Sequence, residues 1–167
     1  MTSDVPVLDG VHHLKLPVTD LLRSAEWYEW VLGYRPVVEF VEQGKLAGVG
    51  MEHPAGGPDF ALRLDPERAG AAAGFDYFSI GVPTEADVRA LAARLDRLGL
   101  THGGVHRTTV GWILPMLRDP DGHEVRFYTT DVHEDAVPPG QRRRIHDPGP
   151  DMWVEVVPEG TPVNAGA

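Results

Sequence analysis

The sequence predicts an α+β fold: two tandem βαβββ modules forming a curved, half-open mixed sheet around a pocket, with the helices outside. Three observations predict it. A strand-then-helix passage near the N-terminus recurs about 65 residues later. Each copy is followed by a series of short strand-like segments. Half-sheets of this size cannot bury their own apolar face, so the two are expected to combine. A chain of 167 residues, 42% hydrophobic and 24% charged, can bury one respectable core or two half-cores.

The first module opens with VHHLKLPVTDLLRSAEWYEWVLGY. Leu14, Leu16 and Val18 alternate with His13, Lys15 and Pro17, the period of a strand with one face on a core. Thr19 or Asp20 supplies an N-cap, because a short side-chain oxygen satisfies free N–H groups in a first helical turn. Leu21, Leu22, Ala25, Tyr28, Val31 and Leu32 follow at helical spacing, and Gly33 ends the helix where a left-handed residue is cheapest. The stretch VVEFVEQGKLAGVGMEH reads as a hairpin turned at Gln43-Gly44, and FALRLD at 60–65 as a further strand. Residues 65–74, DPERAGAAAG, read as a linker.

The second module repeats the plan in YFSIGVPTEADVRALAARLDRLGL. Phe78, Ile80 and Val82 alternate with Tyr77, Ser79 and Gly81. Thr84 caps the helix with Asp87 three residues on, Val88, Leu91, Ala92, Leu95 and Leu98 form its apolar stripe, and Gly99 stops it. HGGVHRTTVGWILPMLRDPDG then leads into the strand EVRFYT at 124–129. The modules are 10–64 and 75–130 of a single domain spanning 10–130, and residues 131–167 form a Pro/Gly-rich C-terminal extension. Within that extension MWVEVV at 152–157 reads as a short strand.

Composition removes several function classes. A net charge of −10 argues against nucleic-acid binding, and the one basic run, Arg142 to Arg144, lies in the extension. No apolar run reaches membrane-spanning length, and no signal peptide is visible, so no membrane partner and a cytoplasmic location are expected. With no cysteine there is no disulfide, thiolate or Cys-based zinc chemistry. Eight histidines are scattered, without an H-x-x-x-H pair on a predicted helix.

The duplicated modules resemble the vicinal-oxygen-chelate superfamily, the group of glyoxalases, bleomycin-resistance proteins and extradiol dioxygenases. The resemblance is carried by HLKLPVTDLLRSAEWYEWVLGY, by FDYFSIGVPTEADVRALAARLDRLG and by LRDPDGHEVRFY, and covers roughly residues 10–130. It implies a pocket between two modules, frequent homodimers, and in many members a divalent ion held by His, Gln or Glu. Carried over by position, the four ligand places fall on His13, Arg63, Tyr77 and Arg126, and only His13 keeps a ligand-type side chain. A guanidinium has no lone pair for a metal. Beside a divalent ion it adds repulsion of about 4 kcal/mol per unit-charge pair at ~4 Å and an effective dielectric of ~20. No cofactor is therefore expected, with a divalent metal as the alternative.

The alternation places His13, Lys15, Arg63, Tyr77, Ser79, Glu124, Arg126 and Tyr128 on the pocket face, with Trp112, Leu114, Met116 and Met51 as apolar wall. Such a floor suits a small organic molecule with an anionic or enolisable oxygen. Metal-independent acid–base chemistry of an isomerase, cyclase or lyase type is then expected. Its catalytic residues would be His13, Tyr77 and Arg126, and Lys15, Arg63, Ser79, Trp112, Glu124 and Tyr128 would contact substrate. The alternatives are a metal-free antibiotic-binding protein and a metal-dependent dioxygenase or glyoxalase. A plainer reading competes with all three: His13 is structural, and the two arginines simply pair with carboxylates such as Glu124 and Asp76.

Overall fold

A computed structural model of the chain describes residues 11–108 and 110–134. The expected strand at 152–157 and the basic run at 142–144 lie outside the described residues. The chain divides into two compact units, with the boundary between Ala71 and Ala72.

The first unit contains β1 (His13–Val18), α1 (Leu21–Leu32), β2 (Arg35–Glu42), β3 (Lys45–Glu52) and β4 (Asp59–Leu64). Its sheet has the order β1-β4-β3-β2, with β1 and β4 parallel and the other pairs antiparallel. The local signals explain the elements. Asp20 Oδ1 accepts from the backbone N–H groups of Leu22 and Arg23, and Gly33 adopts φ +81° at the helix end. Gln43 and Gly44 both take positive φ in the two-residue turn between β2 and β3, the backbone a tight hairpin requires. Leu16, Val18, Val49, Phe60 and Leu62 are buried on one face of the sheet. Tyr28 of α1 packs there, its ring 5.0 Å from that of Phe60.

Helix α2 (Pro66–Ala72) replaces the expected linker. Asp65 caps it, accepting from the Arg68 N–H, Pro66 occupies the first position, and Ala69, Ala71 and Ala72 favour the last turn. These are helix signals that a short Ala/Gly-rich segment between modules easily hides.

The second unit holds β5 (Ser79–Val82), α3 (Glu85–Arg97), β6 (His106–Arg107), β7 (Trp112–Arg118) and β8 (Glu124–Thr129), in the sheet order β5-β8-β7-β6. Thr84 and Asp87 form the full reciprocal capping box of α3. The sheet's helix side buries Ile80, Leu114, Leu117, Val125 and Phe127 beneath Val88 and Leu95. The β7–β8 register breaks between Leu114 and Leu117: Pro115 and Met116 together stand opposite Arg126. Pro115 has no N–H to give the ladder, and Met116 takes φ +67°, so the strand bulges there. Each unit is thus a βαβββ module with an open, mixed four-stranded sheet and its helix on one face.

Candidate functional site

In the first unit the strand register sorts the face opposite α1 into rows. Lys15 stands beside Ala61, Ala61 beside Gly50, and Gly50 beside Val38. The next row runs from Pro17 through Arg63 and Gly48 to Phe40, while His13 stands beside Asp59. The missing side chains at Gly48 and Gly50 have a specific consequence. A Cβ on Gly48 would sit 3.3 Å from Phe40 Cδ2, and one on Gly50 would sit 3.8 Å from Phe40 Cε2. The Phe40 ring therefore lies close over both glycines, where a Cβ at Gly48 would crowd it and one at Gly50 would only touch it. It remains 46% exposed, although it belongs to the most apolar residue types.

Grooves flank this ring. One, of about 280 Å³, is lined by His12, His13, Val38, Phe40, Met51 and Phe60 among others. The other, of about 290 Å³, is lined by His13, Lys15, Phe40, Glu42, Ala61 and Arg63 among others. His13, Phe40 and Ala61 line both. Arg63 is held two-pronged by Glu42, at 2.5 and 2.7 Å. That bond pulls the Glu42 carboxyl below its ordinary range and raises Arg63. Lys15, in contrast, forms no ion pair among the described residues. His12 and His13 face each other through Nδ1 atoms 3.0 Å apart, so one must donate and the other accept. Behind the sheet, burial and Asp59 push the Tyr34 hydroxyl up to about 12, and it donates to the Pro58 carbonyl at 3.0 Å.

In the second unit Arg126 faces the same side as Ser79, its partner in register. Its Nε and Nη2 donate to Glu124 Oε1 at 3.1 and 2.8 Å, and its Nη1 meets Asp76 Oδ2 at 2.5 Å. Glu124 is buried, and the same oxygen also accepts the Met116 N–H at 3.1 Å. The Tyr128 hydroxyl bonds Thr108. Tyr77 lies two residues ahead of β5 rather than on it, with its hydroxyl donating to the Ala72 carbonyl at 3.4 Å and its ring against Phe75 and His123. Trp112 sits under the Arg89 guanidinium of α3, 4.9 Å from the ring centre, on the helix side with Leu114. The structure thus gathers Ser79, Glu124, Arg126 and Tyr128 on one face and leaves Tyr77 and Trp112 elsewhere.

Comparison with known proteins joins this geometry to a family. The glyoxalase/bleomycin resistance protein/dioxygenase superfamily model matches residues 10–127. The chain belongs to that superfamily. Among solved structures similar to it is a glyoxylase/bleomycin resistance protein/dioxygenase domain from Frankia sp. EAN1pec, 26% identical, with a TM-score of 0.58 over 74% of this chain and 93% of that one. A lactoylglutathione lyase from Agrobacterium tumefaciens is 19% identical, with a TM-score of 0.59 over 74% and 95%. TnmS3, an antibiotic binding protein from Streptomyces sp. CB03234, is also 19% identical at 0.59, over 75% and 98%. No curated protein matches the chain.

Many superfamily members use a divalent ion, and at two of the places that the family resemblance assigns to ligands stands a guanidinium, which has no lone pair to give a metal. These are Arg126 and Arg63, each already engaged by carboxylates. Among the described residues no three His, Asp or Glu side chains gather into a metal-holding group. Sequence reasoning missed Phe40. Its signal was available as two glycines one residue apart in an otherwise apolar strand, LAGVGM.

Proposed function

We propose that this superfamily member binds a planar, partly aromatic organic molecule carrying an anionic or enolisable oxygen, and does so without a divalent metal. The observation that carries this reading is Phe40, set close over Gly48 and Gly50 and half exposed between two grooves. A half-exposed ring backed by bare peptide offers aromatic surface to a flat ligand. Lys15 supplies the cation for its anionic oxygen, because Arg63 is already neutralised by Glu42. The fold is shared by proteins described as an antibiotic binding protein and as a lyase, so binding alone and turnover are both within its range.

Anilinonaphthalene sulfonate, a fluorescent aromatic anion, tests the reading. It should bind the chelator-treated protein, and Lys15→Ala and Phe40→Ala should each weaken it. Binding that requires an added divalent ion defeats the proposal.

A second reading rests on the His12–His13 contact. A shared proton at the groove edge suits acid–base chemistry, in line with the isomerase- or lyase-like activity expected from the sequence. Tautomerisation of phenylpyruvate, a planar aromatic acid with an enolisable carbon, should then exceed the uncatalysed rate and fall with His13→Ala. A rate equal to buffer alone removes it.

A further inference from the structure

The Arg126 cluster has two unlike halves. Glu124 is the fixed half: its side chain is 9% exposed, and Oε1 gathers Nε and Nη2 of Arg126 together with the Met116 N–H. The Met116 donor is available because Pro115 and Met116 bulge opposite Arg126, with Met116 in the left-handed region. A bulge facing the residue it serves orients the guanidinium, and the buried carboxylate holds that orientation. Asp76 is the movable half. It lies on the irregular stretch between α2 and β5, its side chain is one-third exposed, and it touches a single prong, Nη1. Each terminal nitrogen of a guanidinium carries two N–H groups. With Nε and Nη2 on Glu124 and Nη1 on Asp76, the prong that Asp76 holds is the one a ligand carboxylate would take, together with the second N–H of Nη2.

We propose that Arg126 is a carboxylate subsite and that Asp76 is its internal placeholder, swung aside by rotation of its own side chain when an anionic ligand arrives. The three groups together carry one net negative charge, two carboxylates against one guanidinium. An incoming carboxylate is therefore disfavoured until Asp76 withdraws, and a neutral isostere gains nothing from the exchange. Asp76 thus sets both the affinity and the charge selectivity of the subsite. This inference deepens the small-molecule-binding reading, but it stands on residues of the second unit, so the two can fail separately.

The test uses the full chain, isotope-labelled on arginine side chains and on the backbone. The Arg126 Nε–H resonance is identified by its disappearance in Arg126→Lys. Benzoate is titrated, with benzamide as the neutral control. The expected result is a benzoate-dependent shift of the Arg126 resonance, about tenfold tighter in Asp76→Asn than in the native protein, since one nearby negative charge has been removed. Benzamide should leave that resonance in place. An Arg126 resonance as insensitive to benzoate in Asp76→Asn as in the native chain overturns the proposal. So does equal affinity in the two proteins. Should Asp76→Asn not fold, Asp76→Ala takes its place; failure of both means that Asp76 is a structural pillar and the placeholder role is wrong. The amides of Phe40, Gly50 and Ala61 report on the groove separately. Their silence beside a responsive Arg126 defeats the groove reading alone, and the reverse pattern defeats this one alone.

Discussion

Replacing Phe40 with alanine removes an aromatic surface that the first unit leaves half open on the sheet face opposite α1, and its two effects have different sizes. Truncating a fully buried phenylalanine costs about 3–5 kcal/mol. Phe40 is 46% exposed, so about half of that, roughly 1.5–2.5 kcal/mol, is the expected loss of stability. At about 2–4 °C per kcal/mol for a chain of this size, the melting temperature falls by roughly 3–10 °C and the protein stays folded. The ligand loses a stacking partner worth about 0.5–1.5 kcal/mol, a two- to twelvefold weaker complex. Urea unfolding measures the first quantity, and fluorescence titration with anilinonaphthalene sulfonate the second. Phe40→Leu separates them, because it restores most of the burial without the π-face. Val41→Ala, on the same exposed strand, is the control. If Phe40→Ala weakens the probe no more than Val41→Ala does, the stacking argument is wrong.

The remaining predictions follow from named contacts. The Arg63 bond holds the Glu42 carboxyl below its ordinary range, so the pair's contribution is present above the unfolded carboxylate pKa and is lost as pH falls through the lower folded value. A carbon-detected NMR titration should place Glu42 below the chain's other exposed glutamates; a midpoint among them refutes the pair. Tyr34 is raised to about 12, so its stabilising contribution is complete below the unfolded value of about 10 and disappears as pH rises towards the folded one. In an alkaline absorbance titration the native protein should show a phenol ionising well above the ordinary range, and that component should be lost in Tyr34→Phe. Gly48→Ala puts its Cβ 2.8 Å from the Leu62 carbonyl oxygen, which belongs to the sheet and cannot yield, so about 1–3 kcal/mol is lost. Gly50→Ala meets only side-chain atoms, with Val38 Cβ nearest at 3.1 Å, and should change stability by less than half as much in the same urea measurement.

Legibility in the sequence tracked how local each cause was. Asp20, Gly33, Gln43-Gly44, Thr84 and Asp87 act through backbone groups a few residues away, and all appear where the pattern placed them. The repeat fixed the module plan because both copies must solve the same burial problem. The losses were positional. Tyr77 was put on a strand by continuing the alternation two residues too far, whereas β5 begins at Ser79. Trp112 was assigned to the face of Arg126 by counting in twos to Met116, but the bulge at Pro115 and Met116 shifts that phase. A proline inside an apolar strand was the available warning. Strand β2 showed no readable face because it is exposed on both sides, so nothing in its pattern singled out Phe40. The ion pairs of Arg63 and Arg126 were anticipated only as the plain alternative. Glu124 and Arg126 share a strand face by the period of two, but Arg63 with Glu42 and Arg126 with Asp76 join residues far apart in sequence, which no spacing rule encodes.

The central claim is that a flat organic anion is held on the Phe40 platform with no divalent ion taking part. Its most direct measurement is a backbone NMR titration of the chelator-dialysed protein with anilinonaphthalene sulfonate, followed by added zinc. The account predicts saturable shifts at His13, Lys15, Phe40, Gly48, Gly50 and Ala61 before any metal is present, unchanged afterwards. Shifts that appear only after zinc is added, or that bypass these residues, would contradict it.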